Sequence, residues 1–379
     1  MAVRLVLIFT SLTALASVSR ASSFKLEWIG EISTFSYDST AYGISADGRV
    51  VFGEASEGSG NQAFRWTRDE GITNLGRIPP SGYSGAKAAS TDGSTIVGYN
   101  SAAPALHWKE GVGLGVSGLR IAHAVSGDGS IVGGSDVNFD AALWSKASGV
   151  VPLPRRTDSE SASVRGISTD GSVVVGIEFR EGVGQEAILW DSNGNLLPLG
   201  FLPGGDSSAA RAVSGDGAVV VGHSNSDVGT QAFRWTVAGG MVGLGGLPGE
   251  DLLSVAEDVS NDGSVIVGQS KFGDGRAAVV WTAEIGMVRL QDLLESHGVT
   301  VREGWTLRDA VGISADGRTI VGEAVGPVFG KIESQSWVAT IPEPATMKMA
   351  LVAASGLFGL ACRRRVRRLS ANKLNAHVA

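Results

Sequence analysis

The chain has 379 residues, of which 54 are glycine, one is cysteine and 18% are charged. Between residues 22 and 344, 22 basic residues stand against 38 acidic ones, a net charge of −16, which excludes the clustered cations that nucleic-acid phosphates require. Cys362 alone allows neither an intramolecular disulfide nor a cysteine-type zinc site, so core burial must hold the fold, and the length permits it.

Residues 1–21 read as a secretory signal. Arg4 supplies the positive start, and Leu5 to Leu15 is an apolar run too short to span a bilayer. Ser19-Arg20-Ala21 fits a cleavage site after Ala21, with Ala14-Leu15-Ala16 as the competing site. Charged start, apolar middle and small-residue end argue against a buried N-terminal strand or helix.

The body, 22–340, is one motif repeated seven times. Ser-x-Asp-Gly recurs with its aspartates at Asp47, Asp92, Asp128, Asp170, Asp216, Asp262 and Asp316. A glycine stands six residues after each: Gly53, Gly98, Gly134, Gly176, Gly222, Gly268 and Gly322. A tryptophan follows each pair, at Trp66, Trp108, Trp144, Trp190, Trp235, Trp281 and Trp337. The aspartates are 45, 36, 42, 46, 46 and 54 residues apart.

Each unit parses into four short strands. In the fifth, Arg211–Ser214 is a strand, and Asp216-Gly217 is a turn of residues that tolerate positive φ. Ala218–Val221 returns, Gln231–Thr236 alternates polar and apolar, and Met241–Leu244 follows the Gly239-Gly240 turn. Four strands in about 45 residues is the size of a propeller blade. Phe24–Gly30 resembles a fourth strand standing ahead of the first unit, whereas the last unit runs out after Trp337. The N-terminal strand is therefore expected to complete the last blade, because closure removes exposed sheet edges. The expected architecture is an all-β, seven-bladed propeller, since a stacked solenoid would show polar capping units at both ends; the alternative is an open β array.

These units resemble the HAF-type extracellular repeat family. The resemblance rests on Gln62-Ala-Phe-Arg-Trp-Thr67, Gln231-Ala-Phe-Arg-Trp-Thr236, Leu199-Gly-Phe-Leu-Pro-Gly-Gly205 and Leu244-Gly-Gly-Leu-Pro-Gly249. It implies an extracellular location and no particular reaction. The signature also looks like the Asp box of sialidase propellers, but glycine follows aspartate directly here and tryptophan comes 16 to 21 residues later, so that chemistry is not carried across.

Each repeat aspartate stands alone before glycine, without the clustered oxygens that calcium needs, and is assigned to a structural turn. The repeated tryptophans read as a packing layer, worth about 3–5 kcal/mol each against alanine where fully buried. Trp28 and Trp305 fall outside that series and are the candidate ligand contacts. His107, His123, His223, His297 and His377 show no metal-ligand spacing. No nucleophile elbow and no phosphate loop stand out, so catalytic, cofactor and metal residues are all assigned as none. The 32 residues between Trp281 and Ser314 exceed the other gaps, with Leu290–His297 expected as a short amphipathic helical turn that serves as a lid near the ring seam or carries binding.

The C-terminus has three parts in order. Ile341-Pro342-Glu343-Pro344 is rigid and extended. Residues 347–362 are apolar apart from Lys348, and Arg363, Arg364, Arg365, Arg367 and Arg368 follow at once. Arginines after an apolar run mark the cytoplasmic side, which leaves 369–379 as a cytoplasmic tail and the body outside. This order over 341–368 resembles the PEP-CTERM sorting signal, with Pro342, Glu343 and Pro344 as its motif. It departs in Lys348 and in the long tail. The resemblance implies a Gram-negative producer of exopolysaccharide and an exosortase-type membrane protease as partner; a plain single-pass anchor is the alternative.

The expectation for function is an exported, non-catalytic envelope or matrix protein, first anchored through its C-terminal helix, then at the outer surface, associated with exopolysaccharide. A lectin-like propeller with sugar pockets and an extracellular glycan hydrolase or lyase are the alternatives.

Overall fold

The computed structural model describes residues 24–342 apart from 31–38, 58–59, 77–81, 102, 110–111, 117 and 329–330. The signal segment with Ala21, the motif residues Glu343 and Pro344, the apolar run 347–362, the arginine cluster and the tail lie outside the described residues. Among the described residues, no helix is long and apolar enough to cross a membrane.

Seven four-stranded antiparallel sheets make a seven-bladed β-propeller. In blades 1 to 6 the strands follow one another from the channel outward. Blade 5 shows the pattern, with Ser208–Val213 innermost, then Val220–Ser226, Gly229–Thr236 and Gly240–Gly243. Blade 7 is composite. Thr306–Ile313, Thr319–Val328 and Lys331–Thr340 come from the end of the chain, and its outer strand is the N-terminal Lys25–Trp28. Lys25 pairs with Thr340 and Trp28 with Trp337. The closure expected from the unmatched half-units is present. The only helix among the described residues, Leu290–Ser296, sits in the insertion before blade 7, and it buries Leu290, Leu293 and Leu294 against Trp305, Leu307 and Trp337.

The repeat signature encodes a bent inner corner. In all seven units the serine hydroxyl donates to the aspartate Oδ1 at 2.5–2.8 Å. The same oxygen accepts the N–H two residues on. Glycine follows at φ 68–76°, a region that a side chain rarely adopts. The second glycine has a different cause. A Cβ on Gly222 would stand 1.9 Å from the carbonyl oxygen of Ala209, and the six equivalents meet the same obstacle at 1.9–2.1 Å. That approach accompanies a β-bulge in every innermost strand, lying between Ala210 and Ala212 in blade 5.

The tryptophans pack between blades. Trp190 is fully buried and donates its indole N–H to Pro154 O of the preceding blade at 2.7 Å, and Trp108 does the same to Leu75 O at 2.8 Å. Trp337 is buried with no such partner among the described residues. Here the helix follows the outer strand of blade 6, and its leucines cover the indole instead.

Candidate functional site

The bulge decides what faces the central channel. Every innermost strand displaces the residue five before the repeat aspartate: Tyr42, Lys87, His123, Arg165, Arg211, Glu257 and Val311. A bulge leaves its extra residue out of the ladder and re-aims the side chain. All seven line both of two adjoining cavities, an inner chamber of about 260 Å³ and an outer vestibule of about 370 Å³. They form the constriction between the two.

The inner chamber narrows at the turns. There seven backbone hydrogen bonds run from blade to blade: Asp47 N–H to Thr91 O, Thr91 to Gly127, Gly127 to Thr169, Thr169 to Gly215, Asp216 to Asn261, Asn261 to Ala315, and Ala315 back to Ala46, at 2.8–3.2 Å. Thr91, Thr169 and Asn261 crowd this end. A Cβ on Gly215 would lie 1.9 Å from Asn261 Oδ1 and 2.6 Å from Thr169 Oγ1.

Charge around the constriction is segregated. Blades 2 to 5 contribute Lys87, His123, Arg165 and Arg211 in succession. Lys87 Nζ lies 3.2 Å over the Tyr42 ring, a cation–π contact. Burial pulls this ammonium down to about 8 against the pull of Glu54. Burial, with Arg165 and Lys87 adding, drives His123 down to about 3, so its ring is neutral. His223 behind Arg211 falls to about 4 for the same reasons, burial first and then Arg211. Burial followed by Arg211 lowers Arg165, which stays a cation at any ordinary pH.

The opposite arc carries carboxylates, and these already have partners. Tyr99 donates to Glu54 at 2.5 Å, and burial together with Glu54 pushes both Tyr42 and Tyr99 up. Arg308 holds Asp309 and Glu323, each at 2.7 Å. Glu257 accepts from Gln269 Nε2 at 3.2 Å and lies 3.9 Å from Arg211 Nε. Asp258 stands where the other blades have Gly43, Ala88, Ala124, Gly166, Ala212 and Gly312. Its carboxylate accepts the N–H groups of Ile313 and Val259 at 2.9 and 2.8 Å, and burial pushes it up to about 7.

The residues singled out in the sequence lie elsewhere. The seven aspartates are at the turns described above. Trp28 is in the outer strand of blade 7, edge-on to Trp305 at 5.0 Å, with Arg302 Cζ 4.3 Å over its ring. Trp305 is 9% exposed. Neither lines the channel. His107 meets Trp144 edge-on at 5.8 Å, and His297 stacks on Phe24 at 4.0 Å. Among the described residues, no three His, Cys, Asp or Glu side chains gather as a metal site would need. The channel ring escaped the sequence reading, although a signal for it existed: position −5 from each aspartate varies in charge and size between a residue that is alanine six times and valine once, and one that is glycine, alanine or Asp258.

Comparison with known proteins adds three findings. No curated protein matches the chain. Among solved structures, an oligogalacturonate lyase in complex with manganese matches with a TM-score of 0.53 at 13% identity, over 85% of this chain and 97% of that one. The β-propeller domain of Myceliophteria thermophila Cps50 (Swd1) matches with a TM-score of 0.53 at 8% identity, over 83% and 99%. TolB from Acinetobacter baumannii reaches a TM-score of 0.45 at 15% identity, over 63% of this chain and 62% of its own, less than two thirds of its length. The likeness to the first two is one of fold. The family model of the PEP-CTERM protein-sorting motif matches residues 340–365. The C-terminus of this seven-bladed propeller thus carries a PEP-CTERM sorting motif, beginning where the last strand, Lys331–Thr340, ends.

Proposed function

We propose that the chain is an exported, non-catalytic envelope or matrix protein, delivered by its C-terminal motif to an exosortase-type membrane protease and held with exopolysaccharide at the outer surface. The observation that carries this reading is the sorting motif placed directly after the closing strand. The resemblance of the repeats to HAF-type extracellular units supports it. The motif is the address, and the ring is the cargo.

The test uses the exported protein and the exopolysaccharide of the producing organism. Bound protein and newly released reducing ends are counted in one experiment. Binding without release is expected. Release of chain ends would replace the non-catalytic reading with a hydrolase or lyase, and absence of binding would remove the association with exopolysaccharide. A second reading, a lectin-like propeller, is favoured by the row of cations in the channel. Substituting Glu343 with alanine tests the address separately: the protein is expected to stay in the membrane fraction, and unchanged release into the medium would remove the protease from the account.

A further inference from the structure

We propose that the channel constriction binds a small hydroxylated carboxylate, the chemistry of a sugar acid, with its carboxylate on Lys87, Arg165 and Arg211 and its hydroxyls in the inner chamber. The assignment rests on the channel alone and stands whether or not the protein associates with exopolysaccharide.

The first observation is an unmatched charge. Arg165 forms no ion pair and no hydrogen bond among the described residues, and its Nε is buried without a partner. Carboxylates reach its neighbours, Glu54 acting on Lys87 and Glu257 lying 3.9 Å from Arg211 Nε, but the charge that acts on Arg165 itself is Arg211. Arg165 raises the cost of charging Lys87 and His123, and Arg211 raises the cost of charging Arg165. Like charges gathered in a half-buried constriction are unfavourable unless an anion joins them. The carboxylates of the remaining blades do not supply it at Arg165, because Arg308 engages Asp309 and Glu323, Gln269 and Arg211 engage Glu257, and Tyr99 engages Glu54. Nor is the arc part of a basic surface, since residues 22–344 are strongly acidic.

The second observation is geometric. The bulge, repeated in every blade, aims these side chains inward from fixed backbone. Two guanidinium forks on adjacent blades suit the two oxygens of a carboxylate. Beyond them the inner chamber ends in neutral hydrogen-bonding groups, the hydroxyls of Thr91 and Thr169 and the amide of Asn261. His123, neutral at pH 7, adds a group that can donate and accept. A bare anion would need only the cations, whereas a ligand with a carboxylate at one end and hydroxyls at the other uses both halves. The two cavities together fall in the range of about 300–1,000 Å³ that small-molecule sites occupy.

The test is calorimetric titration of the whole exported protein at pH 7 with glucuronate, glucose and inorganic phosphate. Glucuronate is expected to bind at least about tenfold more tightly than glucose, and more tightly than phosphate. Arg165→Met is expected to lose about tenfold or more in glucuronate affinity at an unchanged Tm, and Arg165→Lys to recover part of it. Arg49→Met, which removes an exposed cation outside the channel, should bind as the wild type does. Equal binding of glucose and glucuronate, no binding of glucuronate, or undiminished binding by a folded Arg165→Met overturns the proposal. Phosphate binding as tightly as glucuronate overturns the sugar-acid assignment. If Arg165→Met fails to fold, the titration of the Lys87 ammonium by NMR in the wild type decides. Saturating glucuronate should move its midpoint upward, and an unmoved midpoint overturns the site.

Discussion

Two rings in this molecule share one symmetry and differ in everything else. At the turns, seven Ser-x-Asp-Gly corners make the same hydrogen bonds with the same residues. Five residues earlier, at the channel, the same seven backbones carry Tyr42, Lys87, His123, Arg165, Arg211, Glu257 and Val311. The first ring is uniform because backbone geometry allows few solutions. The second is free to vary because the bulge takes its side chains out of the ladder and points them into open space. A repeat protein can thus keep a constant frame and write a single asymmetric site into it.

If that division holds, the frame should break far more easily than the ring. The largest effect is expected at the second glycine of the signature. Gly222→Ala would push a methyl carbon to 1.9 Å from Ala209 O, and it should cost about 3 kcal/mol or more, read as a lower denaturant midpoint. A smaller loss is expected at the turn. Asp216→Ala removes the acceptor of the Ser214 hydroxyl and the Ala218 N–H, and it should cost about 1 kcal/mol. An acid titration sharpens the point at the third corner, where hydrogen bonds from Ser126 and then Ser130 hold the Asp128 carboxyl down to about 2. Its contribution is therefore present above the usual carboxylate range and lost as the pH falls through about 2. Asp128→Asn should flatten that part of the stability curve.

The smallest effect should have the opposite sign. Lys87 has its charged form disfavoured by burial and titrates at about 8 in the folded chain against 10.5 outside it. Below pH 8 the lysine is charged in both states and the full cost is present; above 10.5 it is neutral in both and the cost is gone. Lys87→Met is thus expected to raise the Tm by about 2 °C at pH 7 and to leave it unchanged at high pH. A loss of stability at pH 7 would mean that the channel ring belongs to the frame after all.

The frame was legible in the sequence for the reason that makes it uniform. Aspartate, glycine and tryptophan recur because each solves a fixed backbone or packing problem, and the unmatched Phe24–Gly30 told where the ring closes. The channel ring was not legible by the same route. A search for self-similarity keeps what repeats, and Lys87, His123 and Arg165 share nothing but their place. Only the small apolar residue before each of them, Ala86, Ala122 and Val164, hinted that a strand position was being held small on one side and left open on the other. Trp28 and Trp305 drew notice by standing outside the tryptophan series, and the fold puts them against each other in blade 7 rather than at the channel. The carbonyl obstacle at Gly222 cannot be read from spacing, because it exists only once the bulge has bent the inner strand over the second one.

The composite blade also sets the order in which the ring can close. Gln335 donates to Ile29 O across 306 positions of sequence, so the loop that closes the ring is nearly the whole chain. Such a loop costs only about 5 kcal/mol in closure entropy, since the cost grows with the logarithm of length. It nevertheless cannot begin to close until the last strand has arrived. Without residues 331–340, six blades can form, but Lys25–Trp28 has no edge to join. The assembly is then an open horseshoe, with the edges of its two end blades uncovered. The clasp comes from the segment that directly precedes the sorting motif, so the ring cannot lock without the residues next to that motif. Ile341 and Pro342 stay buried against the body once it has locked. A cut beyond Pro342 would release a finished ring, and a cut before Lys331 would release one that has lost its clasp.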